Sequence, residues 1–134
     1  LGVNAAPVPT FTGAIAISNS EASNFNSMTL AATDAEGDTI SFLVTVMPAH
    51  GTFKYTDVQN NVIEVACTGQ TLTSNNAIHA STRVVQYRPA GTEGAGGVSR
   101  PNSTTFQYVT VTPVHTVANG GAVTTTITIN TSAA

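Results

Sequence analysis

Residues 28–55, MTLAATDAEGDTISFLVTVMPAHGTFKY, contain three strand-like runs separated by two turn signals. The runs are residues 28–33, 39–47 and 52–55. Between the first two lies an acidic, glycine-containing turn, residues 34–38, which carries Asp34, Glu36 and Asp38. Short runs bounded by such turns predict an antiparallel β-sandwich, with three carboxylates gathered at one of its ends.

More strand-like runs lie outside this stretch, at residues 11–17, 62–67, 83–88, 104–113 and 122–130. The last run alternates an apolar face with a threonine face, which is typical of a sheet with one wet side. Residues 71–80 are predicted to be a connection with a short helical turn, and residues 90–101 a loop. The whole pattern predicts an all-β fold, a Greek-key antiparallel β-sandwich of seven or eight strands.

The same alternation predicts the core. Its members are apolar residues expected to point inward: Leu30, Ile40, Phe42, Val44, Phe53, Val85, Tyr87, Phe106, Tyr108, Ile127 and Ile129. Residues 1–9 contain two prolines and are interpreted as a linker or arm, and residues 10–134 as a single domain. Because residue 1 is Leu and not Met, we expect a processed product or a segment of a longer protein.

Composition restricts the classes of function. Charged residues make up 8% of the chain, the net charge is −3 and only four residues are basic. Nucleic-acid binding needs a basic surface, so we expect no nucleic-acid partner. No apolar run approaches the roughly 18 residues of a membrane span, so we expect no membrane insertion. A weakly charged, Thr-rich, Lys-poor chain is typical of secreted fibres and surface layers, and we expect an extracellular or cell-surface location.

Covalent modification has three candidate positions. Cys67 is the single cysteine, so it is either a small buried apolar residue or the origin of a disulfide between chains. Two Asn-x-Ser/Thr sequons make Asn102 and Asn130 candidates for glycosylation. Chance sequons are expected in a chain so rich in Asn and Thr.

Catalytic patterns are weak. The three histidines, at positions 50, 79 and 115, have no metal-ligand spacing to one another or to Cys67. Glu36 and Glu64 could form a carboxylate pair of the glycosidase type, but no other motif supports it. The tyrosines fall inside predicted strands, where core packing is favoured over a sugar-binding platform. We therefore expect no enzymatic activity.

Five short motifs, in order, resemble one family. They are NAAPV (4–8), LAATDAEGDTISF (30–42), PAHGTF (48–53), VQYRP (85–89) and TFQYV (105–109). Together they resemble the tandem cadherin-like and proteoglycan-type repeats of very large surface and adhesive proteins. The resemblance covers nearly the whole chain and implies an Ig-like or cadherin-like sandwich.

The resemblance also implies calcium at a junction between successive domains. Carried onto this chain, the candidate ligands are Asp34, Glu36, Asp38 and Glu21. The chain departs from the family pattern, because residues 1–9 lack an Asp-x-Asn-Asp-Asn linker and no Leu-Asp-Arg-Glu motif follows. The alternative is a solvated β-turn in which Gly37 supplies a positive φ and the acids favour the turn.

Two functions follow as hypotheses. The first is a non-enzymatic structural or adhesive domain, either one repeat of a long extracellular protein or the subunit of an extracellular filament. Its partners would be copies of itself or neighbouring repeats, contacted through residues 1–9 and the C-terminal strand. The alternative is a calcium-dependent module that binds a ligand or carbohydrate through its end loops.

Overall fold

Runs rich in Val, Ile and Thr form the strands, because β-branched side chains suit the half-buried surface of a sheet. The computed structural model describes residues 4–18, 24–73, 75–89, 103–117 and 121–131. The strands within these ranges are β1 (Val8–Pro9), β2 (Gly13–Ile17), β3 (Asn26–Thr29), β4 (Ala32–Thr33), β5 (Ser41–Val46), β6 (Thr52–Thr56), β7 (Val62–Ala66), β8 (Ile78–His79), β9 (Val84–Arg88), β10 (Ser103–Val111) and β11 (Val123–Thr131). The described ranges contain no α-helix, and the prediction of an all-β fold is confirmed.

The strands form two large sheets and one small one. The first large sheet has the order β2-β11-β10-β5-β8, the second has the order β3-β9-β6-β7, and β1 pairs with β4. The chain passes repeatedly between the large sheets, for example from β5 to β6, from β7 to β8 and from β9 to β10, as expected of a sandwich. One pair, β2 with β11, is parallel, so the prediction of a wholly antiparallel sandwich is wrong there. These strands are the second and the last along the chain, and no tight hairpin requires them to be antiparallel.

The number of strands exceeds the predicted seven or eight, because one predicted run is interrupted and two short strands were missed. The run at residues 28–33 is divided into β3 and β4, because the backbone groups of Leu30 and Ala31 bond to residues that lie outside the strands. The Leu30 N–H donates to the Arg83 carbonyl at 2.8 Å, and the Ala31 carbonyl accepts from the Thr10 N–H at 2.8 Å. The missed strands are β1, within the expected arm, and β8, where a helical turn was expected.

The core lies between the two large sheets. The ring of Phe53, on β6, meets the ring of Phe106, on β10, at 5.2 Å and 81°, so aromatic side chains from opposite sheets pack edge to face. Ten of the eleven predicted core residues are buried, and Ile40 packs against the core while partly exposed. The prediction of the core is therefore confirmed apart from the partial exposure of Ile40.

Two buried tyrosines bond loops to the sandwich. The Tyr87 hydroxyl donates to the His50 carbonyl at 2.8 Å, and the Tyr108 hydroxyl donates to the Phe11 carbonyl. Burial raises the pKa of both phenols, which keeps them as neutral donors. The interpretation of these tyrosines as packing residues is confirmed.

The register of the strands defines two ends of the sandwich. Ser41 pairs with Val111 at one end, which also holds the turn at residues 34–38; we call it the acidic end. At the other end, which we call the far end, Ser103 pairs with Asn130. Strand β10 runs from the far end to the acidic end, and β11 runs back.

Candidate functional site

The acidic turn, residues 34–38, is built by the side chain of Asp34. Its Oδ2 atom accepts hydrogen bonds from the N–H groups of Glu36, at 3.0 Å, and Asp38, at 2.8 Å. The Gly37 N–H donates to the Asp34 carbonyl at 3.1 Å, and Gly37 has a φ of 75°, which residues other than glycine rarely adopt. The predicted role of Gly37 in the turn is confirmed.

This turn brings together three of the four predicted metal ligands. One carboxylate oxygen from each of Asp34, Glu36 and Asp38 lies within 4.8 Å of the others. Glu36 is exposed, and the other two are partly buried. The fourth candidate, Glu21, lies outside the described residues.

The segment that leads into the domain, residues 4–9, bonds to the same turn; we call it the leading segment. This contact was missed from the sequence. The Ala5 N–H donates to Glu36 Oε1 at 3.1 Å. With its nitrogen facing the turn, the Asn4 amide donates to Glu36 Oε1 at 3.2 Å and to Asp38 Oδ2 at 2.9 Å. His115, in the loop between β10 and β11, places Nε2 3.1 Å from the Asn4 carbonyl oxygen. The leading segment is thus held from two sides.

The donor set fits a hard cation such as Ca²⁺, which takes six to eight oxygen ligands. Asp34, Glu36 and Asp38 would supply carboxylate oxygens, and Asn4 could supply its amide oxygen if the amide were turned over. Asp34 Oδ1 is buried and has no hydrogen-bond partner among the described residues. These residues provide fewer ligands than calcium needs, so water or a neighbouring domain would have to complete the set.

An open groove of about 390 Å³ lies next to the acidic turn. Residues 39–42 form one wall, and His79, Arg83 and Val58 contribute to the rest. Arg83 has a φ of 65° and places its guanidinium 5.6 Å from the centre of the Phe42 ring. The groove brings His79 and Arg83 together with apolar residues, among them Phe42. No motif in the sequence indicated it.

At the far end, Phe25 contacts two cationic side chains. The Lys54 ammonium lies 5.1 Å from the centre of its ring, and the Arg88 guanidinium lies 4.6 Å from it. Both distances are within the range of cation–π contacts. We call these three residues the basic cluster. The one signal in the sequence was an isolated Phe in the polar stretch at residues 18–26.

The remaining candidates are dispersed. Cys67 is buried, as one of the two interpretations required, and burial raises the pKa of its thiol to about 12. Glu64 lies on β7 and is not part of the acidic group at residues 34–38. Asn130 is exposed on β11, whereas Asn102 lies outside the described residues.

Comparison with protein-family models, curated proteins and solved structures found no match. A search of the described residues found no helix long and apolar enough to cross a membrane. The site is therefore interpreted from its own geometry.

Proposed function

We propose that this chain is a non-enzymatic structural domain of an extracellular assembly, joined end to end with like domains. It would act either as one repeat of a long surface protein or as the subunit of a filament. The observation that carries the proposal is that the chain enters the sandwich at one end and leaves it at the other.

Both ends of that path are defined by bonded residues. Asn4 and Ala5 are held against the acidic turn, and β11 reaches the far end at Asn130, opposite Ser103. In many domains the chain termini lie close together, which suits insertion into another fold. A domain entered and left at opposite ends adds its own length to a string of domains and transmits tension along its strands.

The leading segment supports a fixed orientation between neighbours. Val8 and Pro9 pair with β4 of their own domain, and Pro7 is buried. Residues 4–9 therefore belong to the fold and do not form a free arm. A domain connected through such a segment would be held at a defined angle, as a load-bearing string requires.

We further propose that the acidic turn binds calcium and thereby holds the leading segment against its own domain. The support is the group of three carboxylates together with Asp34 Oδ1, which is buried without a hydrogen-bond partner in the described part of the chain. A cation there would tie the turn to Asn4 in the leading segment.

A calcium-dependent binding module is the second candidate. It is favoured by the groove of about 390 Å³ that opens beside the acidic turn, with His79 and Arg83 in its wall. A ligand with a carboxylate would suit these side chains. The test of this candidate is whether a carboxylate-bearing sugar protects His79 and Arg83 from chemical modification.

The end-to-end function is tested with a chain that contains two copies of the domain in tandem. Small-angle X-ray scattering should show a rod with the cross-section of one domain and about twice its length. A control chain with a long Gly/Ser linker between the copies should show a broad distribution of shapes. A compact, side-by-side arrangement of the directly joined copies would contradict the proposal.

A further inference from the structure

The basic cluster holds two like charges close together on the surface. Arg88 pairs with Thr52, and Lys54 pairs with Gln86 on the same two strands, so the two cations lie diagonally on one face of the sheet. Both contact the partly buried ring of Phe25, at 4.6 Å and 5.1 Å. The ring offsets part of their repulsion and fixes their positions.

Within the part of the chain that the structure describes, no ion pair neutralises the positive charge of this cluster. Glu64 lies opposite Lys54 on β7, yet no carboxylate among the described residues forms an ion pair with Lys54 or Arg88. The chain has only four basic residues and a net charge of −3, so half of its basic side chains are gathered here. Such a cluster attracts an anionic surface.

A matching anionic surface exists on the same molecule, at the other end. The acidic turn carries three of the seven acidic residues of the chain, with Glu36 exposed. Strand β9 runs from Val84, beside the acidic end, to Arg88 at the far end, so the two charged groups cannot meet within one molecule. They can meet between two molecules stacked in the same direction.

We propose that the basic cluster binds the acidic turn of a second copy of this chain, with Lys54 and Arg88 pairing with Glu36. The inference rests on the proposed end-to-end function and names its contact surface. The two surfaces differ, so the contact is head to tail. A string of any length keeps one free surface of each kind, at its two ends, and therefore grows without closing. The opposite charges would also set the direction in which copies add.

The effect of calcium on association is a second test of this contact. A divalent cation bound to the acidic turn would leave it with one net negative charge instead of three, and would compete with Lys54 and Arg88 for the same carboxylates. We therefore expect calcium to weaken the contact between separate copies. A contact that calcium strengthens would instead be a calcium-bridged junction, and would overturn the pairing proposed here.

Two variants that each lack one surface provide the main experiment. Glu36→Lys reverses the exposed charge of the acidic turn, and the double variant Lys54→Glu with Arg88→Glu reverses the charge of the basic cluster. In chelator and at low ionic strength, sedimentation velocity should show that the unaltered chain forms a series of oligomers and that each variant alone is monomeric. An equimolar mixture of the variants should associate again, because the intact acidic turn of one variant meets the intact basic cluster of the other and the two reversed surfaces are also of opposite charge; a mixture that stays monomeric would overturn the inference.

Matched controls separate this contact from effects on folding or on net charge. A second variant, Lys54→Gln with Arg88→Gln, keeps the shape of the cluster without reversing its charge, and should weaken self-association at least about fivefold. Arg83→Gln removes one positive charge near the acidic end and should change association less than twofold. Thermal melting in each case shows whether the domain is folded.

The outcomes distinguish this inference from the function on which it rests. If the two-copy chain is a straight rod but the variants associate as the unaltered chain does, the contact lies elsewhere and the inference is overturned. If the unaltered chain stays monomeric and instead binds heparin through Lys54 and Arg88, the cluster serves an acidic polysaccharide and the inference is again overturned. In 1 M salt, where the Debye length is about 3 Å, the proposed oligomers should dissociate.

Discussion

Gly51 and Gly13 both have a positive φ, 94° and 87°, but they have different surroundings. A Cβ atom added at Gly51 would lie 2.5 Å from the hydroxyl oxygen of Tyr87, whereas one added at Gly13 would have nothing within 4 Å. Gly51 allows the turn after β5 to approach Tyr87, whose hydroxyl bonds the carbonyl of His50 in that turn. At the residue scale, the turn at the far end therefore needs glycine at position 51 for two reasons: the backbone has a positive φ, and there is no room for a Cβ atom beside Tyr87.

Gly51→Ala should cost about 3 kcal/mol or more of unfolding free energy. The left-handed backbone accounts for roughly 1–2 kcal/mol, and displacement of the buried Tyr87 hydroxyl from its acceptor for roughly 1–3 kcal/mol. Gly13→Ala is the matched control and should cost only the backbone part. Urea unfolding measures the unfolding free energy of both variants. If both lose the same amount, the role given to Tyr87 is contradicted.

Calcium should raise the melting temperature, because a ligand that binds only the folded chain stabilises it. At a concentration a hundredfold above Kd, the gain is about 2.7 kcal/mol. Glu36→Gln should abolish this gain and leave melting in chelator nearly unchanged, since Glu36 is exposed and the glutamine amide keeps an oxygen that can accept from the Ala5 N–H. Asp34→Ala should lower the melting temperature even in chelator, because Asp34 Oδ2 accepts two backbone hydrogen bonds.

Scanning calorimetry with calcium and with chelator makes this comparison. If the unaltered chain melts at the same temperature in both, the carboxylates are ordinary turn residues and the calcium proposal fails. The result for Asp34→Ala in chelator separates the role of Asp34 in the turn from any role as a ligand.

At the element scale, β6 and β10 join the two sheets through Phe53 and Phe106. Both rings are fully buried and meet at 5.2 Å, and Phe106 also lies 6.4 Å from the ring of Tyr108. The side chains at alternate positions of β10 point away from this contact, and Thr105 is exposed. The strand thus has neighbouring positions that differ sharply in their contribution to stability.

Phe106→Ala should destabilise the domain by roughly 3–5 kcal/mol, because it removes a buried ring and leaves a cavity between the sheets. Thr105→Ala, one position away on the exposed face, should change stability by about 0.5 kcal/mol or less. Chemical denaturation with both variants tests the arrangement. A large loss of unfolding free energy in Thr105→Ala, or a small loss in Phe106→Ala, would mean that the buried and exposed faces of β10 are assigned the wrong way round.

Strands with a clear alternation of apolar and polar residues could be predicted from the sequence. Features that depend on contacts between residues far apart in the chain were missed. Along β11, Ile127 and Ile129 alternate with polar residues, so the pattern by itself identified the buried face. The break between β3 and β4 arises because Leu30 bonds to Arg83, more than fifty residues along the chain, and no local pattern reports that contact. The acidic turn was found because its three carboxylate residues lie within five positions of one another in the sequence.

At the scale of the whole molecule, the acidic turn and the basic cluster are separated along the sandwich. The acidic turn lies at the end where Asn4 enters, and the basic cluster lies toward the end that β11 reaches. The basic cluster was missed because Phe25, Lys54 and Arg88 are far apart in sequence and meet only through the register of β6 and β9. The separation gives each molecule a direction, which a string of like domains requires.

Zero-length cross-linking tests this end-to-end arrangement most directly. A carbodiimide joins a carboxylate to an amine only where the two are in contact, and a mixture of ¹⁵N-labelled and unlabelled chains identifies links between molecules. We expect a dimer of twice 13.7 kDa whose cross-linked peptides join Glu36 of one chain to Lys54 of another. A dimer linked at other positions, or only a link within one chain between Glu64 and Lys54, would contradict the contact between the acidic turn and the basic cluster on which this arrangement is built.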